Sequence, residues 1–200
     1  CLIIPMLLTG VVASWAAENP LMPDTSAAAN PLSRTPPLIR GTLWWINHNV
    51  YAEWGRIQFE EAIEAQRTVG FDVLWILNSP ALLQLDEDGD NAKRDILAMI
   101  YAIADAKRMH VIADLPRGGW YGQTAAEDMI AELSGFASRL HARYGRHPSF
   151  YGWYLNHEIN PIRPDDREES AYWRQVWKGA AEACHRVAPG SVVTISPFFL

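Results

Sequence analysis

From Gly41 onward the chain alternates two kinds of apolar pattern. Short, nearly continuous runs have the length of buried strands: "GTLWWIN" (41–47), "FDVLWILN" (71–78), "HVIADLP" (110–116), "FYGWYLN" (150–156) and "SVVTISPF" (191–198). Between them lie longer segments whose apolar residues recur at helical spacing. Ile57, Phe59, Ala62 and Ile63 fall within 53–69, with Gly70 as a C-cap; Ile96, Leu97, Ile100, Tyr101 and Ala104 fall within 91–108. Ile130, Leu133, Ala137 and Leu140 follow a Thr124–Glu127 pair at capping-box spacing. Trp173, Val176, Trp177, Ala180 and Cys184 form a stripe behind Asp165 and Glu168.

Strand and helix in strict alternation predict a parallel sheet covered by helices, the α/β class. An open doubly wound sheet and a (β/α)8 TIM barrel both meet that description. No G-x-G-x-x-G or Walker-type loop follows any strand, which removes the usual signature of a nucleotide-binding open sheet. Almost every strand instead ends in polar groups: Asn47-His48-Asn49, Asn78-Ser79, Asp114, Asn156-His157-Glu158 and Ser196. Barrel enzymes gather their sites from several strand tips at one face, so the expectation is a TIM barrel. Five strands then make the sequence a barrel truncated to about its first five β-α units, with about three strands missing on the C-terminal side.

The segment before Gly41 reads differently. Residues 1–16, "CLIIPMLLTGVVASWA", are apolar and end in small residues, with Ser14 and Ala16 placed as in a signal-peptidase site. They predict a signal peptide clipped at its start and hence a secreted or periplasmic protein, with a membrane anchor as the lesser alternative. The run is short for a span, and no stable membrane insertion is expected after cleavage. Residues 17–40 hold five prolines and no period, which predicts a linker, and 41–200 form the barrel domain.

Charge narrows the partners. A net charge of -6 with scattered basic residues excludes nucleic acid as the main partner. Nine Trp in 200 residues suit a barrel core, and equally a site that stacks on sugars. Cys184 lies in the helical stripe and reads as a core residue. "LDEDGDN" (85–91) fails the EF-hand pattern, since Gly89 is early and Leu97 stands where the bidentate Glu belongs. It reads as a solvated loop, and no cofactor or metal is expected.

Glu158 is the leading candidate for chemistry. A carboxylate just past a buried strand and beside aromatic residues can be desolvated enough to serve as a proton donor near neutrality. Glycoside hydrolysis needs such an acid and a second carboxylate across the scissile bond. The alternative is a strand-end Glu paired with a neighbouring base. Asp114 ends the third strand inside an apolar run; Arg117 or a neighbouring strand could pair with it, or it could serve the site. Asn47, His48 and Asn78 could bind sugar hydroxyls or close their own loops, with Asn49 assigned to turn chemistry. In "RGGWYG" (117–122), Trp120 and Tyr121 are placed to stack on a sugar, whereas Trp75 and Trp153 read as packing.

"HPSFYGWYLNHEINP" resembles the fourth strand of clan A glycoside hydrolases, where a His-Pro-small-aromatic-Gly-aromatic strand ends in Asn-Glu. The resemblance implies that Glu158 is the acid/base. His157 stands where the clan keeps Asn, and Asn156 is displaced one position back; both are carried as substrate-binding candidates. "GTLWWINHNVYAEWG", "FDVLWILNSP" and "VIADLPRGGWYG" add a resemblance to a bacterial family of secreted barrels of unknown function classed with glycoside hydrolases. The resemblance implies a secreted glycoside hydrolase acting on a poly- or oligosaccharide, its second carboxylate in the missing C-terminal part. Two other readings stay open: a metal-dependent barrel using His48, Asp114, His157 and Glu158, and a non-catalytic carbohydrate-binding barrel. Oligomeric state is not legible.

Overall fold

A computed structural model describes residues 40–87, 95–159 and 166–196. The expected signal peptide and the linker up to residue 39 lie outside the described residues, as do 88–94; of the loop expected over 85–91, residues 85–87 are helical and the rest fall in that second gap. Five strands form one sheet: β1 (Gly41–Trp45), β2 (Val73–Leu77), β3 (His110–Asp114), β4 (Phe150–Leu155) and β5 (Val192–Ile195). All four neighbouring pairs are parallel, and the strands lie in chain order, β1 to β5. The connecting helices are α1 (Arg56–Thr68), α2 (Ser79–Glu87), α3 (Ile96–Lys107), α4 (Ala126–Tyr144) and α5 (Arg167–Val187). Sequential parallel strands with a helix in every crossover are the β-α repeat of a (β/α)8 barrel.

The sheet curls as a barrel wall does. The Trp75 indole on β2 donates to the Thr194 hydroxyl on β5 at 3.3 Å. Three strand spacings of roughly 4.8 Å would separate these strands in a flat sheet, too far for one indole to cross. The same ring also lies beneath Gly41 on β1, where an added Cβ would sit 2.7 Å from it. Trp75 therefore fills the concave side from β1 to β5, together with Val73, Ile112, Tyr154, Leu77 and Val192. The convex side is the larger core, in which Ile46, Leu74, Ile76, Val111, Ala113, Trp153 and Leu155 meet the apolar stripes of the helices. Trp153 and Cys184 are buried in it as expected, and burial pushes the Cys184 thiol up to about 12.

Three helix starts differ from the sequence expectation. Thr124 does not cap α4, whose N-cap is Ala125 with no side-chain bond. Asp166 rather than Asp165 caps α5, accepting from the Glu169 N–H at 2.9 Å. Helix α2 has no counterpart in the sequence expectation; Pro80 occupies its first turn, where a missing N–H costs nothing.

One register irregularity lies at the starts of β3 and β4, at the far end of the strands from their polar tips. Val111 pairs with Phe150 but Ile112 with Gly152, so Tyr151 is an extra residue on β4. Its exposed ring stacks on His110, 4.4 Å between centroids. At Gly152 the chain passes so close to β5 that a Cβ would run into the Val192 carbonyl. Gly152→Ala must therefore push β4 from β5 and should destabilise the full-length protein by about 2 kcal/mol or more. Equilibrium urea unfolding measures this, and an unchanged midpoint would contradict the close approach.

Candidate active site

The site is built where the strands end. Asp114, the last residue of β3, is 2% exposed and receives donors from both neighbouring strand tips. The Ser79 N–H donates to its Oδ1 at 2.7 Å, and the Asn78 N–H to its Oδ2 at 3.0 Å. The Asn156 side-chain NH2 donates to the same Oδ2 at 3.0 Å. Ser79 opens α2, so its N–H is one of the donors a helix leaves unpaired, and the carboxylate sits at the positive end of that helix. Burial pushes the Asp114 carboxyl above its ordinary range, and the bonds from Asn78, Ser79 and Asn156 pull it back. Of the partners considered for Asp114, neighbouring strands supply them; Arg117 instead lies over the Trp120 ring, 4.6 Å from its centroid.

Asn78 is held from two sides. Its φ of 77° is left-handed, a conformation Asn tolerates, and its side-chain amide donates to the Ile46 carbonyl at 3.0 Å. The tips of β1, β2, β3 and β4 are thus joined through Ile46, Asn78, Asp114 and Asn156. At the end of β1, Asn47 Oδ1 accepts from the Asn49 N–H at 2.9 Å, a turn that Asn47 closes with its own side chain. His48 is half-buried beside it.

Beyond β4 the alternation of strand faces continues. Tyr154 belongs to the concave cluster and Asn156 meets Asp114, while Leu155 and His157 are buried on the helix side. Glu158 is exposed rather than desolvated, because it stands three residues past Leu155, above the packed part of the wall. Its charge acts on the Tyr154 phenol, which burial first, and then Glu158, push up to about 12. Ser196, following β5, also reaches that phenol. Tyr154 was missed from sequence, although counting back by two from Glu158 through Asn156 finds it. The same count from Asn47 finds Trp45, which shares the concave face with its register partner Leu77 and is 65% exposed.

The loop after β3 forms a wall on the α5 side. Trp120 meets Trp173 edge-on at 6.2 Å, and Tyr121 meets Tyr172 at 5.4 Å. Both rim rings stay over one-third exposed, at 38% and 36%. His157 packs on the other side of this group, 5.2 Å from Trp173 and 1% exposed. The Arg117 main chain lies beside the imidazole, yet neither ring nitrogen reaches hydrogen-bonding geometry. Among the residues expected at the site, Asn78, Asp114 and Asn156 converge directly and Glu158 stands near Tyr154. Trp120 and Tyr121 form the rim, and His157 sits behind it.

Residues 39–200 match a family model described as "Domain of unknown function (DUF4434)". The chain belongs to this family. No curated protein matches it. The DUF4434 chain is similar to solved structures of sugar-processing proteins. A Bacteroides thetaiotaomicron protein named as a candidate alpha-L-fucosidase matches with a TM-score of 0.55 and 21% identity, over 80% of this chain and 51% of that one. A GH5_18 protein from Bifidobacterium longum subsp. infantis matches at 0.51 and 13%, over 79% and 43%. The Parabacteroides merdae beta-glucuronidase matches at 0.51 and 16%, over 80% and 20%. The DUF4434 chain spans about half or less of the length of these structures. With the strand order, these matches give it the fold of a (β/α)8 barrel, of which five consecutive strands are described.

Burial holds the His157 imidazole down at about 4, from 6.5, with the Arg117 charge acting in the same direction. Between these values the unfolded chain binds the proton and the folded one does not, so stability is full above pH 6.5 and falls as pH drops toward 4. The shift corresponds to about 3 kcal/mol. His157→Phe also removes two unpartnered buried nitrogens. It should be at least as stable as the wild type at pH 7.5 and should lose less stability by pH 4.5. Urea unfolding of both proteins at the two pH values compares them, and parallel losses would rule out a neutral buried His157.

Proposed function

We propose that this DUF4434 protein is a secreted glycoside hydrolase acting on a poly- or oligosaccharide, with Glu158 as its general acid/base. The observation that carries the reading is the position of Glu158: an exposed carboxylate at the β4 tip, beside the Tyr154 phenol, on a barrel whose structural relatives carry sugar-processing names. Protonated Glu158 gives its proton to the glycosidic oxygen as the bond to the anomeric carbon breaks. A second carboxylate, outside the described residues, acts as nucleophile or as base toward water, and Glu158 then takes a proton back where the reaction retains configuration. A bound sugar supplies the desolvation that the free site lacks, since it displaces water from the Glu158 side.

The other candidates take supporting parts. Asn156 and Asn78 surround the point where hydroxyls would bind, Trp120 and Tyr121 offer ring faces at the rim, and Trp45 offers another on the concave side. Residues 1–16 serve as the signal and 17–40 as the linker. Among the described residues no helix is long and apolar enough to cross a membrane. The metal reading finds no support in the arrangement: among the described residues no group of three or more His, Cys, Asp or Glu side chains is placed to hold an ion. His157 is buried against Trp173, and Asp114 is engaged by amides.

The test is Glu158→Gln in the full-length protein, assayed on a panel of polysaccharides and on aryl glycosides. We expect kcat on polysaccharides to fall by about 10²–10⁴-fold with the melting temperature unchanged. Aryl glycosides with acidic leaving groups should lose much less in the bond-breaking step, because their departure needs little protonation. Equal activity of variant and wild type on every substrate would remove Glu158 from the mechanism.

A further inference from the structure

We propose that Asp114 is a positioning residue that holds Asn156 as a hydrogen-bond acceptor toward the ligand, so that this point of the site selects a donor. A sugar hydroxyl or an acetamido N–H fits, and a group that can only accept, such as a ring or O-methyl oxygen, does not. The ligand class rests on the carbohydrate reading above; the roles of the two residues rest on geometry.

The polarity is fixed by groups that leave no choice. The Asn78 and Ser79 backbone N–H groups can only donate, and they meet the two Asp114 oxygens at 3.0 and 2.7 Å. Asp114 therefore faces its neighbours as an acceptor, and the end of Asn156 that meets Oδ2 at 3.0 Å is its NH2. An Asn amide has ends of opposite polarity that exchange by rotation about one bond. One N–H of the NH2 goes to Asp114 and turns that end toward β3, so the carbonyl oxygen is the end turned away from Asp114, toward a ligand. Among the described residues Asp114 is the only hydrogen-bond partner of the Asn156 side chain. Asn156 is half-buried and lies between Tyr154 and Glu158 in the sequence of the concave face. Asp114 itself is 2% exposed with both oxygens engaged, so it acts through Asn156 and not by touching the sugar.

The experiment uses the full-length protein carrying Glu158→Gln to prevent turnover. Calorimetry measures binding of the tetrasaccharides of β-1,4-linked glucose, mannose and xylose. Asp114→Asn should weaken the bound sugar by about tenfold, the scale of one hydrogen bond lost or inverted in a partly buried site. Adding Asn156→Asp to it places a donor at 114 and an acceptor at 156, and should recover most of the affinity. A double variant no better than the single one overturns the proposal. A second readout needs no ligand: the Asn156 side-chain NH2 should exchange slowly with solvent in the wild type and rapidly after Asp114→Asn. Rapid exchange in the wild type overturns the proposal even if Asp114→Asn fails to fold. Binding of none of the three sugars counts against the carbohydrate reading alone, and the amide exchange then decides the role of Asp114.

Discussion

A single carboxylate, Asp114, holds the mouth of this barrel together. Placing a charge at 2% exposure is costly, and burial does raise its carboxyl above the usual range. What makes the position tenable is the number and direction of its partners: the N–H groups of Asn78 and Ser79 and the side-chain amide of Asn156 all point at it. Those donors come from the tips of β2 and β4, on either side of β3. Asn78 in turn reaches the Ile46 carbonyl past β1. A sheet ladder fixes the strands only as far as its last pair, and here side chains extend that order beyond the strands, where the chemistry is proposed to occur.

The β4 strand shows how one segment serves two media. Trp153, Leu155 and His157 are buried on the helix side, whereas Tyr154, Asn156 and Glu158 follow the concave side. The residues differ accordingly. His157 is kept neutral among aromatic rings, with Trp173 5.2 Å away, while its neighbour Glu158 faces solvent. Adjacent residues of a strand point to opposite faces, so the tip can place a polar group in the site and its neighbour in the core without any turn between them. His157 accordingly serves the packing behind the wall, and Asn156 is the residue of this pair that meets the network of the strand tips.

Much of this was legible in the sequence, for reasons of period. The strands are short apolar runs and the helices carry stripes, so the α/β repeat, the barrel and most core residues follow from burial alone. The strand-tip candidates followed from the same pattern, because polar groups ending an apolar run mark the edge of the wall. Partners were not legible. Whether Asp114 pairs with Arg117 three residues on or with Asn78 36 residues back depends on strand neighbours and their register, which no local pattern contains. Tyr154 was hidden for the opposite reason: inside an apolar run it looks like core, and only counting faces outward from Glu158 separates it from Trp153. Helix α2 has no counterpart in that reading; its Pro80 would break a helix interior but suits a first turn.

The rim loop follows the same logic of support from behind. Gly118 and Gly122 adopt left-handed φ values of 63° and 79°, which lets residues 119–121 turn outward over a short span. Left alone, such a loop would move freely and lose much entropy on ordering around a ligand. Here Trp120 rests edge-on against Trp173, and Tyr121 against Tyr172, both on the long helix α5. Trp173 is itself fixed by its indole N–H, which donates to Glu169 at 3.1 Å, one turn back toward the capped N-terminus of that helix. The glycines therefore supply the path and the helix supplies the rigidity. The exposed faces of Trp120 and Tyr121 are oriented before any ligand arrives, and a ring stacking there would bind with less ordering cost than a loop of the same composition without α5 behind it.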